Sequence, residues 1–144
     1  MTAVAPWVAW AAMSAVFAAL TAILAKLGVQ NVDADLATLL RTLVVIAALA
    51  VIVVATGKWQ NPLALGGHTL LFLTLSGLAT GASWVCYFRA LKLGPASKVA
   101  PVDKFSVVLI ALFATLFLAE RPSMRDWFAI ALVAAGVVLL ALPH

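Results

Sequence analysis

Charge is scarce in this sequence. Of its 144 residues, 10% are Asp, Glu, Lys or Arg, where a soluble domain carries about 25%. That scarcity excludes a soluble globular enzyme, a disordered tail and any sizeable extramembrane domain. Cysteine is limited to Cys86, which excludes an internal disulfide and leaves the redox compartment open. The two histidines, His68 and His144, fall outside the apolar runs and far apart, so no metal site assembles around them. No Ser-His-Asp set, phosphate-cradling Gly-rich loop or Cys pair exists to carry enzymatic activity, and no cofactor is expected. The 9 basic and 5 acidic residues are scattered singly, so nucleic acid has no basic patch to bind. Met1 to Pro6 contain no Lys or Arg, so the chain opens without the positive n-region of a cleavable signal. No lipidation motif is visible.

What is present is apolar: 66% of the residues are hydrophobic. Five helical spans of about 20 residues need about 100 positions and leave short loops. The expected fold class is all-α, a polytopic membrane protein with five transmembrane helices in one domain over 1–144. The spans are placed at about 7–27, 36–55, 69–91, 97–119 and 127–142, each bounded by Gly, Pro or polar residues. Gly94 and Pro95 form a reversal, and Ser97 is expected to cap the fourth span. The runs are too long for strands and lack alternation. An odd number of spans puts the termini on opposite sides.

Loop charges are balanced. On the side that holds Met1 (side A) lie Lys58, Arg121 and Arg125; on the other (side B) lie Lys26, Lys92 and Lys98. Three against three gives the positive-inside rule nothing to act on. The expectation is dual insertion, with the C-terminus on both sides of the membrane.

Three cations and one carboxylate fall inside spans, toward side B: Arg41, Arg89, Lys104 and Asp103. Asp103 lies about six residues past Ser97, hence ~9 Å into the fourth span. With Lys26, these charges read as a polar vestibule for a charged or zwitterionic solute, or as a structural ion-pair cluster. Trp10, Ser14, Phe17 and Thr21 share one face of the first span, and Ser76, Thr80, Ser83 and Tyr87 share one face of the third, with Trp84 and Cys86 beside it. Such faces line a midplane cavity or pack against other helices. Gly77 and Gly81, and Ala131, Ala135 and Gly136, read as close-packing faces.

The string Tyr87-Phe88-Arg89-Ala90-Leu91-Lys92-Leu93-Gly94-Pro95-Ala96-Ser97 resembles the "A-L-x-x-x-P-A-x" turn of the drug/metabolite transporter superfamily, EamA branch. Ala119-Glu120-Arg121-Pro122-Ser123 is similar to its "G-E-x-x-S/T" turn, with Ala119 in place of Gly, and Ala134-Ala135-Gly136-Val137 is similar to its closing helix. Ten-helix members contain two five-helix units in inverted orientation and move small metabolites, amino acids or drugs across the bacterial inner membrane by alternating access. The resemblance implies that this chain is one such unit, that it works as an antiparallel homodimer, and that its first, third and fourth spans wall the cavity. The substrate-binding residues expected are Trp10, Ser14, Phe17, Thr80, Ser83, Trp84 and Tyr87. A proton-coupled four-helix exporter fits less well, because the first span has no carboxylate. A non-transporting membrane subunit or lipid-handling scaffold is the rival from another class.

Overall fold

The computed structural model describes residues 6–142, apart from the side chain of Leu63. Helices arise where the apolar runs predict them, and no strand occurs among the described residues. They are α1 (Pro6–Gly28), α2 (Ala34–Ala55), α3 (Gly67–Leu93), α4 (Ala96–Asp103), α5 (Ser106–Phe117) and α6 (Met124–Ala141), with a 3-10 turn at Pro62–Ala64. Together α4 and α5 make one span, Ala96–Phe117, so five helical segments are long and apolar enough to cross a membrane. His144 and the first five residues lie outside the described residues.

The chain divides at Leu93–Gly94 into two compact units. In the first, α1 and α2 both pack on α3, and the packing is concentrated near the side-B ends. Ala22, Ala25 and Val29 bring the end of α1 inward, Ala34 and Thr38 the start of α2, and Phe88 and Leu91 the end of α3. Thr38 is a buried polar residue whose hydroxyl is satisfied by donating to the Ala34 carbonyl at 2.8 Å, the usual local solution inside a helix. Asp33 caps α2, its carboxylate accepting from the N–H groups of Asp35 and Leu36. Asp35, just outside the second span as placed from sequence at 36–55, therefore sits in the first turn of that helix, where its charge favours the helix dipole.

Within the chain, Gly77 and Gly81 are not approached by another helix of their own unit. A Cβ at either would meet nothing within 4 Å, and the same holds at Gly136. Close packing in the first unit uses the alanines near Ala25 instead.

In the second unit α4 and α5 each pack on α6. The fourth span is not one continuous helix. Pro101 lies inside α4 and has no N–H to give the Ser97 carbonyl. Beyond it the ladder tightens: the N–H groups of Lys104, Phe105, Val107 and Val108 each reach back three residues, to Pro101, Val102, Lys104 and Phe105. Such 3-10 turns have poorer geometry than α-helix and stay short. Nor does Ser97 cap the span. The cap position is Pro95, without a side-chain bond, because the extended backbone of Pro95 already starts the helix at Ala96.

The turn at 119–123 is a helix stop followed by a helix start. Ala119 has φ +54°, the left-handed region where a Cβ costs roughly 1–2 kcal/mol. This geometry lets the Ala114 carbonyl accept from both Leu118 and Glu120. Ser123 then opens α6 with a capping box, its hydroxyl accepting from the Asp126 N–H while the Asp126 carboxylate accepts from the Ser123 N–H. The glycine usual at the first position of this motif is thus a conformational requirement, and Ala119 meets it under strain. Ala119→Gly is expected to stabilise the fold by about 0.5–1 kcal/mol, the relieved strain less the added freedom of the unfolded chain. Thermal unfolding in detergent checks this; an unchanged or lowered midpoint would contradict it.

Candidate functional site

The charged residues of the first unit are placed by the ends of its helices. The Arg89 guanidinium holds Asp35 in a two-point pair, its Nε donating to Oδ1 at 2.8 Å and its second terminal nitrogen to Oδ2 at 2.6 Å. Lys26, at the end of α1, donates to the Leu91 carbonyl at 2.6 Å, one of the carbonyls that the end of α3 leaves without a helical donor. Lys92 donates to the Val32 carbonyl in the connector at 2.8 Å. These three contacts fasten α1, α2 and the connector to the end of α3. Arg89 and Lys26, expected around Asp103, thus take partners from their own unit. In the second unit the Asp103 carboxylate accepts from its neighbour Lys104 at 3.2 Å.

Arg41 stands apart from these pairs. Its guanidinium carbon lies 4.2 Å from the ring centroid of Trp84 and 5.5 Å from that of Phe88, within the range of cation–π attraction. No carboxylate among the described residues pairs with it. Beside it opens a groove of about 390 Å³, walled by Leu24, Ala25, Val32, Ala37, Leu40 and Phe88, with Thr21 and Arg41 as its polar side chains.

The structure thus brings Thr21, Arg41, Trp84 and Phe88 together near side B. It leaves the other stripe residues open: Trp10 is 72% exposed and Phe17 63%, and Ser14, Thr80 and Ser83 are exposed, with Tyr87 half-buried. Thr80 donates to the Ser76 carbonyl at 2.9 Å. The hydroxyls of Ser14, Ser76 and Ser83 have no hydrogen-bond partner among the described residues. On α3 the packed face is Trp84, Phe88 and Leu91, one position round from the polar stripe. Sequence reasoning missed Asp35, Phe88 and the groove walls. The spacing of Trp84, Phe88 and Leu91 was the available signal.

Among the described residues, the first unit thus combines apolar spans, exposed hydroxyls on α1 and α3, and a groove beside Arg41. The EamA-like transporter family model matches residues 5–142. The chain belongs to that family. It is 56% identical over 135 residues to a Sinorhizobium protein named "Uncharacterized transporter in cobO 3'region", covering 94% of this chain and 96% of that one. It is 30% identical over 84 residues to a Yersinia pestis protein named "Probable 4-amino-4-deoxy-L-arabinose-phosphoundecaprenol flippase subunit ArnE", covering 58% of this chain and 74% of that protein. No solved structure matches the chain. As a member of the EamA-like family with five apolar spans, it is a multi-pass membrane transporter.

Proposed function

We propose that two copies of this chain, inserted in opposite orientations in the bacterial inner membrane, form a transporter that passes a small metabolite, amino acid or drug-like solute by alternating access. The observation that carries this reading is the set of exposed hydroxyls inside α1 and α3. Ser14 lies eight residues into α1 and Ser76 and Ser83 lie well inside α3, at depths where bare hydroxyls facing hydrocarbon are unfavourable. A second copy closing over the exposed hydroxyls of α1 and α3 turns those helices into walls of a hydrated path, with Trp10 and Phe17 giving the solute apolar surface. Balanced loop charges supply the opposed copy, since they leave neither orientation favoured.

The experiment is a solute screen by thermal shift on the purified protein, followed by flux of each stabilising solute in liposomes. At least one is expected to cross faster than in empty liposomes, and Ser83→Val should slow it. Solutes that stabilise the protein but cross no faster than in empty liposomes would overturn transport by this chain alone. That result would favour a lipid-handling subunit, a second reading motivated by the flippase-subunit relative.

A further inference from the structure

We propose that the Arg89–Asp35 pair is a releasable lock. While it is made, the first unit is closed at side B; when it breaks, α2 and α3 part there and approach each other toward side A. Such a lock deepens the alternating-access reading and rests on it for what the opening admits.

The face of α3 that packs is not packed along its length. Gly77, Gly81, Trp84 and Phe88 follow one another at helical spacing, on one stripe. At the side-B end of that stripe Phe88 is 3% exposed. Toward side A, a Cβ at Gly81 or Gly77 would meet nothing within 4 Å. The facing helices agree: the buried residues of α1 are Ala22 and Ala25, and those of α2 are Ala34 and Thr38, all toward side B. The first unit is therefore closed at one end and open further along the same stripe. The two glycines leave room for a helix to approach the open part, because neither carries a side chain to hold it off.

Of the contacts that hold the closed end, Arg89–Asp35 is the one that pairs opposite charges across two helices. Lys26 ties in α1 and Lys92 the connector, each through a backbone carbonyl. The two-point geometry of the pair fixes how α2 meets α3. Its side chains are 61% and 50% exposed, so water takes both partners when they separate. An exposed pair has small net strength for that reason. Defined geometry with small net strength suits a contact that is made and broken. Leu91, 0% exposed beside it, has no such substitute for its neighbours.

The test uses the full chain in lipid nanodiscs, with Cys86→Ser and spin labels on cysteines placed at exposed positions of α2 and α3. Leu39→Cys with Leu93→Cys reads side B, and Val54→Cys with Leu71→Cys reads side A. Labelled protein is diluted into unlabelled copies, so that distances within one chain are measured. Arg89→Gln should enlarge the population with a longer side-B distance by about fivefold, as expected for loss of an exposed pair. The population with a shorter side-A distance should grow with it. Asp35→Arg with Arg89→Asp remakes the pair in reverse and should restore most of the original distribution. Plain loosening would broaden both distances and shorten neither; that result in a folded Arg89→Gln protein would overturn the lock, as would unchanged distances. Asp35→Asn gives the same reading if Arg89→Gln does not fold. If neither folds, the pair is a requirement of the fold and the lock is overturned. These distances need no flux: absent transport with the paired shifts overturns the transport reading and leaves the lock standing, and transport with unmoved distances does the reverse.

Discussion

Leu91→Ala is expected to destabilise the first unit by about 2–3 kcal/mol, the lower part of the range for truncating a buried leucine. Leu91 is 0% exposed and sits where α3 meets the other two helices of its unit, so the lost methyl groups leave a cavity in the packed end of α3. In a membrane protein the water-transfer part of the penalty shrinks, because lipid is as apolar as the core, and lost packing remains. Leu93, two residues on, is 90% exposed, and Leu93→Ala should change stability by less than about 0.5 kcal/mol. Thermal or denaturant unfolding of both variants in the same detergent provides the comparison. Equal effects would mean that the end of α3 is not the packing centre of this unit.

The five spans were legible because each is an uninterrupted apolar stretch with polar or Gly/Pro punctuation, and such runs leave the chain no other way to satisfy its backbone in lipid. What sequence could not resolve was which of two equally spaced faces would pack. On α3 the series Ser76, Thr80, Ser83, Tyr87 and the series Trp84, Phe88, Leu91 have the same helical period. The structure packs the second and leaves the first open, because bulky apolar groups gain more from contact with α1 and α2. Charge pairing was harder to read. Arg89 was assigned to a carboxylate at matching depth, yet Asp35 is in direct reach once the Asp33 cap draws it into α2. The tightened turn after Pro101 was missed, since the fourth span was placed as one run over 97–119; the proline, which has no N–H to continue the ladder, was the available signal. At Ala119 the sequence showed only a departure from the glycine of a motif; the positive φ there explains why that motif favours glycine.

The second large effect concerns orientation. Gln30→Lys with Asn31→Lys adds two charges to the side-B connector, and Gln60→Lys with Glu120→Lys adds two to side-A loops; all four positions are exposed. Each added Lys near the cytoplasmic surface is worth about 1 kcal/mol, so a pair biases insertion by roughly 30-fold. With one orientation that scarce, opposed pairs should fall by about tenfold or more. A cytoplasm-active and a periplasm-active reporter at the C-terminus read the bias, and the unaltered chain should give signal with both.

The most direct measurement is the oligomeric state of these two charge-biased variants, differently tagged, expressed alone and together. Two opposed copies as the working unit require each variant alone to purify largely as monomer, and the pair to co-purify as a one-to-one dimer. A variant held in one orientation that still forms a full complement of dimers by itself would contradict the account.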